Sequence, residues 1–230
     1  MFIIPLAGDG QRFVNGGYKK LKPQLEIFGR TLFFWSLSSF LKYKDDFFVF
    51  ITRREHCLKS FIENQCKLLS INNFEIYELE MRTKGQAETV HKYTCNHSHP
   101  NLFIFNIDTV LTNFVKPDWL SNCDGYIEYF FSDSPKYSYL ELSSNRVVNI
   151  KEKEVISNNA SNGLYYFKDC NLFNCAYDKF LDHKYYVGPM LNYLIEQNYL
   201  ITGNQVDRNN LIILGTPDEF EDSTKRESIL

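Results

Sequence analysis

The chain has 230 residues, of which 44% are hydrophobic and 16% aromatic, and its formal net charge is −3. This length suits one α/β domain with its own core, and the apolar content is too high for a broadly disordered chain. The near-neutral charge balance excludes a general nucleic-acid binder, which needs a basic face against backbone phosphates.

Strands and helices alternate through the first half of the chain. Short apolar runs predict strands at 2–6, 47–52, 74–79 and 102–107. Helical spacing of apolar residues predicts helices over 32–41, 54–68 and 86–93, and Thr31 can cap the first of them. This alternation predicts parallel strands with right-handed crossovers and helices on both faces of the sheet.

The pattern changes after residue 108. Strands predicted at 125–131, 137–142, 147–152 and 163–167 follow one another closely, which indicates an antiparallel or mixed extension. Two helical segments at 170–180 and 187–197 precede a last strand at 211–214. We therefore predict a single domain over residues 1–220 and a polar tail over 221–230.

A glycine-rich turn follows the first strand. It contains Gly8 and Gly10 and ends on Arg12, and Lys22 lies ten residues further on. Glycines let backbone amides approach a phosphate, and the two basic side chains can neutralise the charge of a triphosphate. The turn lacks both the GxGxxG spacing of a dinucleotide-binding fold and the GK[ST] ending of a P-loop.

This turn resembles the opening signature of the sugar-phosphate nucleotidyltransferase superfamily, and the run from Lys22 to Leu32 resembles that family's continuation into its first helix. The resemblance implies that the turn binds the triphosphate, that Arg12 contacts the leaving pyrophosphate and that Lys22 steadies the α-phosphate under attack. Gly85 and Gln86 resemble the family's Gly-x-Ala motif, where main-chain groups meet the base. The implied nucleotide-binding residues are Leu6, Ala7, Gly8, Asp9, Gly10, Gln11, Arg12, Lys22, Gly85 and Gln86.

Two more motifs extend the resemblance into the second half. The run 106–109 resembles an NGDT-type motif at a strand end, which implies that Asp108 holds Mg²⁺ against the phosphates and is catalytic together with Arg12 and Lys22. The segment 137–167 resembles the acceptor-binding half of the family, with an EKP-like motif and a TG-[IL]-Y-like strand. The implied acceptor-binding residues are Asp108, Glu152, Lys153, Asn162 and Gly163. The nucleotide-binding half then covers about 1–110 and the acceptor-binding half about 111–220.

Several positions depart from the family pattern. Glu154 replaces the proline of the EKP motif, and Ser138 stands where a glycine is usual. Residues 211–220 resemble the family's GTP-containing ending, but Ile213 stands where the family has a second metal-binding Asp. Asp207 and Asp218 flank this segment, so either one is a candidate for the place of the lost ligand. The departures motivate an alternative function, a nucleotide-binding or regulatory module without turnover. A related glycosyltransferase is disfavoured, because residues 108–110 supply no DxD motif.

The cysteines and the N-terminus bear on the compartment. The six cysteines include no CxxC pair, which favours reduced thiols over a disulfide framework. Cys95, His97 and His99 alternate, but no second ligand pair lies at zinc-site spacing, so we predict a polar loop there. The N-terminal residues lack the features of a signal peptide, and no apolar run approaches the length of a membrane span, so we expect a cytoplasmic protein.

Taken with the resemblance, these features imply an α/β, Rossmann-like, three-layer nucleotidyltransferase fold with a mixed, mainly parallel sheet and a small antiparallel extension. The implied enzyme is Mg²⁺-dependent, joins a nucleoside triphosphate to a sugar phosphate or related phosphorylated metabolite, and releases pyrophosphate. The implied role of its nucleotide-linked product is in bacterial capsule or surface-polysaccharide synthesis. CTP is slightly favoured as the nucleotide. Neither a nucleic acid nor a membrane is expected as a partner, and a homodimer is left open.

Overall fold

The computed structural model describes residues 1–180 and 186–224. Within these residues the chain forms thirteen β-strands and seven α-helices. The strands are β1 (Phe2–Pro5), β2 (Glu26–Ile27), β3 (Arg30–Thr31), β4 (Phe48–Arg53), β5 (Phe74–Leu79), β6 (Pro100–Phe105), β7 (Thr109–Leu111), β8 (Gly125–Phe131), β9 (Ser138–Ser143), β10 (Arg146–Glu152), β11 (Asn159–Asp169), β12 (Ile201–Gln205) and β13 (Leu211–Ile213). The helices are α1 (Gln11–Asn15), α2 (Leu32–Ser38), α3 (Lys59–Leu69), α4 (Gln86–Thr94), α5 (Cys170–Lys179), α6 (Leu191–Glu196) and α7 (Pro217–Thr224).

Nine strands form one mixed sheet in the order β5-β4-β1-β6-β11-β8-β12-β10-β9. The strands β5, β4, β1 and β6 run parallel, and β12 runs parallel to β8. The remaining pairings in this sheet are antiparallel, because β11 returns between β6 and β8 and because β9 and β10 form a hairpin. The mixed sheet agrees with the prediction, and among the described residues four of its strand pairings are parallel and five are antiparallel.

Alternate side chains of the central strands enter two separate apolar cores. Phe2 and Ile4 of β1 point to the core that contains α2 and α3, whereas Ile3 points to the core that contains α4, α5 and α6. This alternation follows from the two-residue period of a strand. Both faces of the sheet are therefore covered by helices.

A third, smaller core fixes the loops at one end of the sheet. It joins Phe13 of α1 to Ile212 of β13 and Phe220 of α7. The strand β13 pairs with β7, which follows β6 closely, so these three segments are held beside the ends of β1 and β6. Aromatic contacts add to the packing, with the rings of Phe13 and Phe220 edge to face at 6.0 Å.

Most predicted elements are present with boundaries shifted by a few residues, and β5 and β8 have the predicted bounds. The helix predicted over 54–68 begins only at Lys59, because a 3-10 turn occupies Arg54–His56. The helix predicted over 187–197 shortens to α6, since Pro189 lies in a preceding 3-10 turn and has no N–H to donate.

Two segments form a strand or a helix where the sequence predicted neither. β12 lies between β8 and β10, but its residues are mostly polar and gave no strand signal. Of the predicted polar tail, residues 221–224 belong to α7, and 225–230 lie outside the described residues. Among the helices of residues 1–180 and 186–224, none is long and apolar enough to cross a membrane.

Candidate active site

A cleft of about 590 Å³ opens where β1 and β6 end. Pro5, Leu6 and Gly8 line one side of it, directly after β1, and Asn106 to Thr109 follow β6. Its far side is formed by β9, β10 and β11. Ligands of open α/β sheets bind at the carboxyl ends of the strands, so this cleft lies where the fold predicts a binding site.

The glycine turn brings Lys22 against the start of α1. Gly10 has φ of 62° and accepts hydrogen bonds from the backbone N–H groups of Phe13 and Val14. A Cβ on Gly10 would lie 3.3 Å from the Cβ of Lys22, so a larger residue would push the lysine away. Lys22 itself begins a 3-10 turn with Pro23 as its second residue, and its ammonium lies 5.5 Å from the ring centre of Phe13.

Lys22 and Asp108 meet across the cleft. The Nζ of Lys22 lies 3.0 Å from Oδ2 of Asp108, and the two side chains are 17% and 31% exposed. The carbonyl of Asp108 accepts a hydrogen bond of 2.6 Å from the backbone N–H of Leu214, which ties this loop to β13. Arg12 also lines the cleft, so the three residues predicted to be catalytic come together.

The predicted base-contacting residues lie further along the same cleft. Gly85 and Gln86 line it at the start of α4, and the Gln86 amide donates a hydrogen bond of 2.5 Å to Oδ1 of Asn106. Asn106 in turn packs against Gly163, which has φ of 90°; a Cβ there would lie 3.1 Å from Nδ2 of Asn106. Asn106 therefore joins the predicted base-contacting residue Gln86 to the predicted acceptor-binding residue Gly163.

Glu152 and Ser138 line the side of the cleft that the sequence resemblance assigns to the acceptor. The Ser138 hydroxyl donates a short hydrogen bond to Oε2 of Glu152, whose side chain is 17% exposed. Burial raises the pKa of Glu152, and the Ser138 hydroxyl and the charges of Lys153 and Arg12 act in the opposite direction. Burial and the nearby Glu152 charge also raise the pKa of Tyr165 to about 12, so this phenol is neutral at physiological pH. The partly buried Glu152 carboxylate thus binds Ser138 through Oε2 and lies 3.9 Å from the Lys153 ammonium through Oε1.

Asn162 is held from behind by a buried carboxylate. Its Nδ2 donates a hydrogen bond of 2.8 Å to Oε2 of Glu128, and its Oδ1 accepts one of 3.0 Å from the N–H of Leu164. Glu128 is buried and also accepts a hydrogen bond from the Tyr126 hydroxyl, and burial raises its pKa. The polar atoms of the Asn162 side chain are therefore hydrogen-bonded within the protein.

Four predicted residues are not among the described residues that line the cleft, namely Ala7, Asp9, Gln11 and Lys153. Ala7 is buried in the core with α4, and the Gln11 amide donates to the Asn15 side chain at 2.8 Å. The Lys153 ammonium donates a hydrogen bond of 2.6 Å to the Tyr186 hydroxyl and borders a separate cavity of about 940 Å³. Tyr186 lines both the cleft and this cavity, so the lysine lies at their boundary.

The Asp9 side chain is directed into an ion cluster beside the turn. Its carboxylate contacts the buried guanidinium of Arg53 and lies 3.3 Å from Nη1 of Arg82. His56 is 3.6 Å away, but burial and the Arg53 charge lower the pKa of this imidazole. The Asp9 carboxylate therefore anchors the turn to β4.

The cleft is also lined by polar residues that were not predicted to be site residues. They include Lys84, Asn106, Lys136, Tyr137, Ser161 and Glu219. Lys84 adjoins the Gly-x-Ala motif and Asn106 begins the NGDT-like motif, so proximity to these motifs was an available signal. Lys136 and Tyr137 contact Glu219, which lies more than 80 residues later in the chain, and no local sequence pattern predicts that contact.

The alternating Cys95, His97 and His99 form no metal site. In residues 1–180 and 186–224, no group of three or more His, Cys, Asp or Glu side chains is placed to hold a metal ion. The ring of His97 stacks on Tyr93 at 3.9 Å between centroids, and its Nδ1 lies 2.8 Å from the Tyr93 carbonyl oxygen. This turn after α4 agrees with the predicted polar loop.

Solved structures show which family shares this fold. The nucleoside-diphosphate-sugar pyrophosphorylase from Vibrio cholerae RC9 is 33% identical, with a TM-score of 0.91 over 98% of this chain and 100% of that chain. The chain belongs to the sugar-phosphate nucleotidyltransferase superfamily. No protein-family model matches it, and no curated protein matches it either.

More distant members of the superfamily share the fold alone. The inositol-1-phosphate CTP transferase from T. maritima is 14% identical, with a TM-score of 0.73 over 100% of this chain and 97% of that chain. A UDP-glucose pyrophosphorylase complexed with UDP-glucose is 15% identical, with a TM-score of 0.77 over 98% and 97% of the two chains. The nucleotidyltransferase fold is therefore retained while the sequence varies widely.

Proposed function

We propose that this nucleotidyltransferase joins a nucleoside triphosphate to a sugar phosphate or related phosphorylated metabolite and releases pyrophosphate. The observation that carries the proposal is the meeting of two sets of groups in one cleft. Arg12, Lys22 and Asp108 flank the glycine turn, and Glu152 and Gly163 face them from the acceptor side. The likeness to a nucleoside-diphosphate-sugar pyrophosphorylase supports the same reaction class.

The reaction is an in-line displacement at the α-phosphorus. An oxygen of the acceptor phosphate forms the new O–P bond while the bond to the pyrophosphate leaving group breaks. Lys22 lies where its charge can stabilise the α-phosphate under attack, and Arg12 can receive the charge that develops on pyrophosphate. The acceptor phosphate is already ionised near neutral pH, so no side chain has to remove a proton.

The carboxylate of Asp108 fits a Mg²⁺ ion. Mg²⁺ prefers oxygen donors and commonly takes one or two protein carboxylates together with phosphate oxygens and water. A Cβ on Gly215 would lie 3.5 Å from Oδ2 of Asp108, so the glycine leaves open space beside this carboxylate. Bound there, Mg²⁺ would offset the negative charge of the triphosphate.

Finer parts of the proposal rest on the sequence resemblance. They are the three-layer, Rossmann-like fold, the division into halves at about residue 110, the choice of CTP, the cytoplasmic location and the role in bacterial capsule or surface polysaccharide. The two apolar cores on opposite faces of the sheet support the first of these. Fold likeness below 25% identity does not select among CTP, UTP, dTTP and GTP.

A ligand panel tests the reaction class. Thermal unfolding is measured with each of four nucleoside triphosphates and MgCl₂, followed by pyrophosphate release with sugar, alditol and amino-acid phosphates. A nucleotide present at 100 times its Kd stabilises the fold by about 2.7 kcal/mol, which raises the Tm of a chain of this length by roughly 5–10 °C. No shift with any nucleotide contradicts the proposal. A shift without pyrophosphate release from any acceptor identifies the non-catalytic nucleotide-binding module instead.

A further inference from the structure

Glu219 presents a second carboxylate to the part of the cleft that Asp108 lines. A Cβ on Gly215 would lie 3.3 Å from Oε2 of Glu219 and 3.5 Å from Oδ2 of Asp108. Two carboxylate oxygens from distant parts of the chain thus converge on the open side of one glycine. Both residues line the cleft.

The position of Glu219 is fixed by the loop and helix that carry it. Its backbone N–H donates to Oγ1 of Thr216 at 3.3 Å, and the N–H of Phe220 donates to the Thr216 carbonyl at 2.9 Å. The Phe220 ring is buried in the third core. Since the Leu214 N–H also binds the Asp108 carbonyl, the two carboxylates are carried by segments joined to each other.

The cation and hydroxyl contacts of Glu219 are made by only one of its two carboxylate oxygens among the described residues. Lys136 Nζ and the Tyr137 hydroxyl approach Oε1 of Glu219, at 3.4 Å and 3.5 Å, whereas Oε2 is the oxygen nearest to the open side of Gly215. Lys22 is the cation at Asp108, and the proposed reaction requires Lys22 at the α-phosphate. Both Oε2 of Glu219 and Oδ2 of Asp108 lie within 3.5 Å of the place that a Cβ on Gly215 would take. Two negative carboxylates near one point repel each other, and a cation bound between them offsets this repulsion.

We propose that Glu219 is the second protein carboxylate for the divalent cation of this enzyme, with Asp108 as the first. The inference rests on the proposed function. Ile213 lines the cleft where the family resemblance implies an Asp, and its apolar side chain offers no ligand. Glu219, in the first turn of α7, supplies a carboxylate to the cation either directly or through a metal-bound water.

Neither acidic residue that the sequence suggested takes this place. The Asp207 carboxylate accepts a hydrogen bond of 2.9 Å from the Asn209 N–H at the start of a 3-10 turn, and it does not line the cleft. Asp218 is exposed on α7 and does not line the cleft either. Asp218 is therefore a matched control, since it has the same charge sign and lies next to Glu219 in the same helical turn.

The test measures Mn²⁺ binding to the full chain by electron paramagnetic resonance of the free ion, in the absence of nucleotide. Glu219→Gln should weaken Mn²⁺ binding by about tenfold or more, because one of two ligand charges is lost. Asp218→Asn should leave it within about twofold, since exposed charges contribute little. Tyr137→Phe separates the roles of Glu219, because it removes a contact to Oε1 and leaves the carboxylate in place.

Three outcomes would overturn the inference: unchanged Mn²⁺ binding in Glu219→Gln, an equal loss in Asp218→Asn, and an equal loss in Tyr137→Phe. Thermal unfolding of each variant checks that the fold is retained. The change in Tm that nucleoside triphosphates produce without added metal tests the proposed function separately. A wild-type protein that binds Mn²⁺ through Glu219 but no nucleotide retains the metal site and loses the proposed function.

Discussion

Lys22→Met removes one ammonium from the cleft and keeps a side chain of similar length. In the wild type the Nζ of Lys22 is 3.0 Å from Oδ2 of Asp108, and the lysine side chain is 17% exposed. The methionine still covers the open side of Gly10, so the shape of the glycine turn should be preserved. The variant therefore tests the charge at this position with little change in packing.

The expected effect on catalysis is much larger than the effect on stability. Loss of one group that stabilises transition-state charge typically lowers kcat by about 10²–10³, or roughly 2.7–4 kcal/mol. The ion pair itself is partly exposed, so its loss should cost no more than about 1 kcal/mol of folding free energy. For a chain of this length that corresponds to a decrease of about 2–4 °C in Tm.

Lys20→Met is the matched control for this variant. Lys20 lies two residues earlier and pairs with Glu26 at 2.6 Å, with both side chains more than half exposed. Pyrophosphate release and thermal unfolding are measured for both variants with the acceptor found in the panel. If kcat of Lys22→Met stays within threefold of the wild type, or equals that of Lys20→Met, the lysine is a solvated turn residue and the assignment is wrong.

Three further predictions concern carboxylates. Asp108→Asn should abolish pyrophosphate release while Asp207→Asn leaves it unchanged, as measured with the same assay, because only Asp108 lines the cleft. Ser138→Gly removes a hydrogen-bond donor from Glu152, so the pKa of Glu152 should rise further. In the proposed function Glu152 binds the acceptor as an anion, so the acid limb of kcat/KM should move to higher pH, and an unmoved limb contradicts this role. Glu128 binds its proton more tightly in the folded state than in the unfolded state, because burial raises its pKa. The free energy of unfolding should therefore decrease as the pH rises from 4.5 through the raised pKa of Glu128. Glu128→Gln should flatten this dependence, as measured by thermal unfolding across that pH range.

The sequence was sufficient where the determining interactions are local. Thr31 was predicted to cap α2, and its hydroxyl accepts a hydrogen bond of 3.1 Å from the Phe34 N–H. The parallel strands β1, β4 and β6 carry apolar runs because both of their faces are buried, and such runs are visible without knowledge of their partners. Arg12, Lys22 and Asp108 could be predicted because their spacing to a glycine turn or a strand end is local.

The remaining features depend on partners far away in the chain. Nothing around Asp9 indicates that its carboxylate binds Arg53 of β4, because the contact exists only once β1 and β4 pair. The same holds for Asn162, whose amide meets Glu128 through the pairing of β11 with β8. β12 was missed because strand formation there is imposed by its position between two other strands, against a polar local sequence.

Discrimination between substrates must come from a different set of residues than phosphate chemistry. In the proposed function, the glycine turn, Lys22 and Asp108 contact groups that every nucleoside triphosphate shares, so they cannot select a base or an acceptor. Gln86 lies on the base side and binds Asn106, and Asn106 packs against Gly163 on the acceptor side, with no space for a methyl group between them. A side chain added at Gly163 should therefore displace the Asn106 amide, which accepts the hydrogen bond from Gln86. In the proposed function, the nucleotide side and the acceptor side of the cleft are coupled through Asn106.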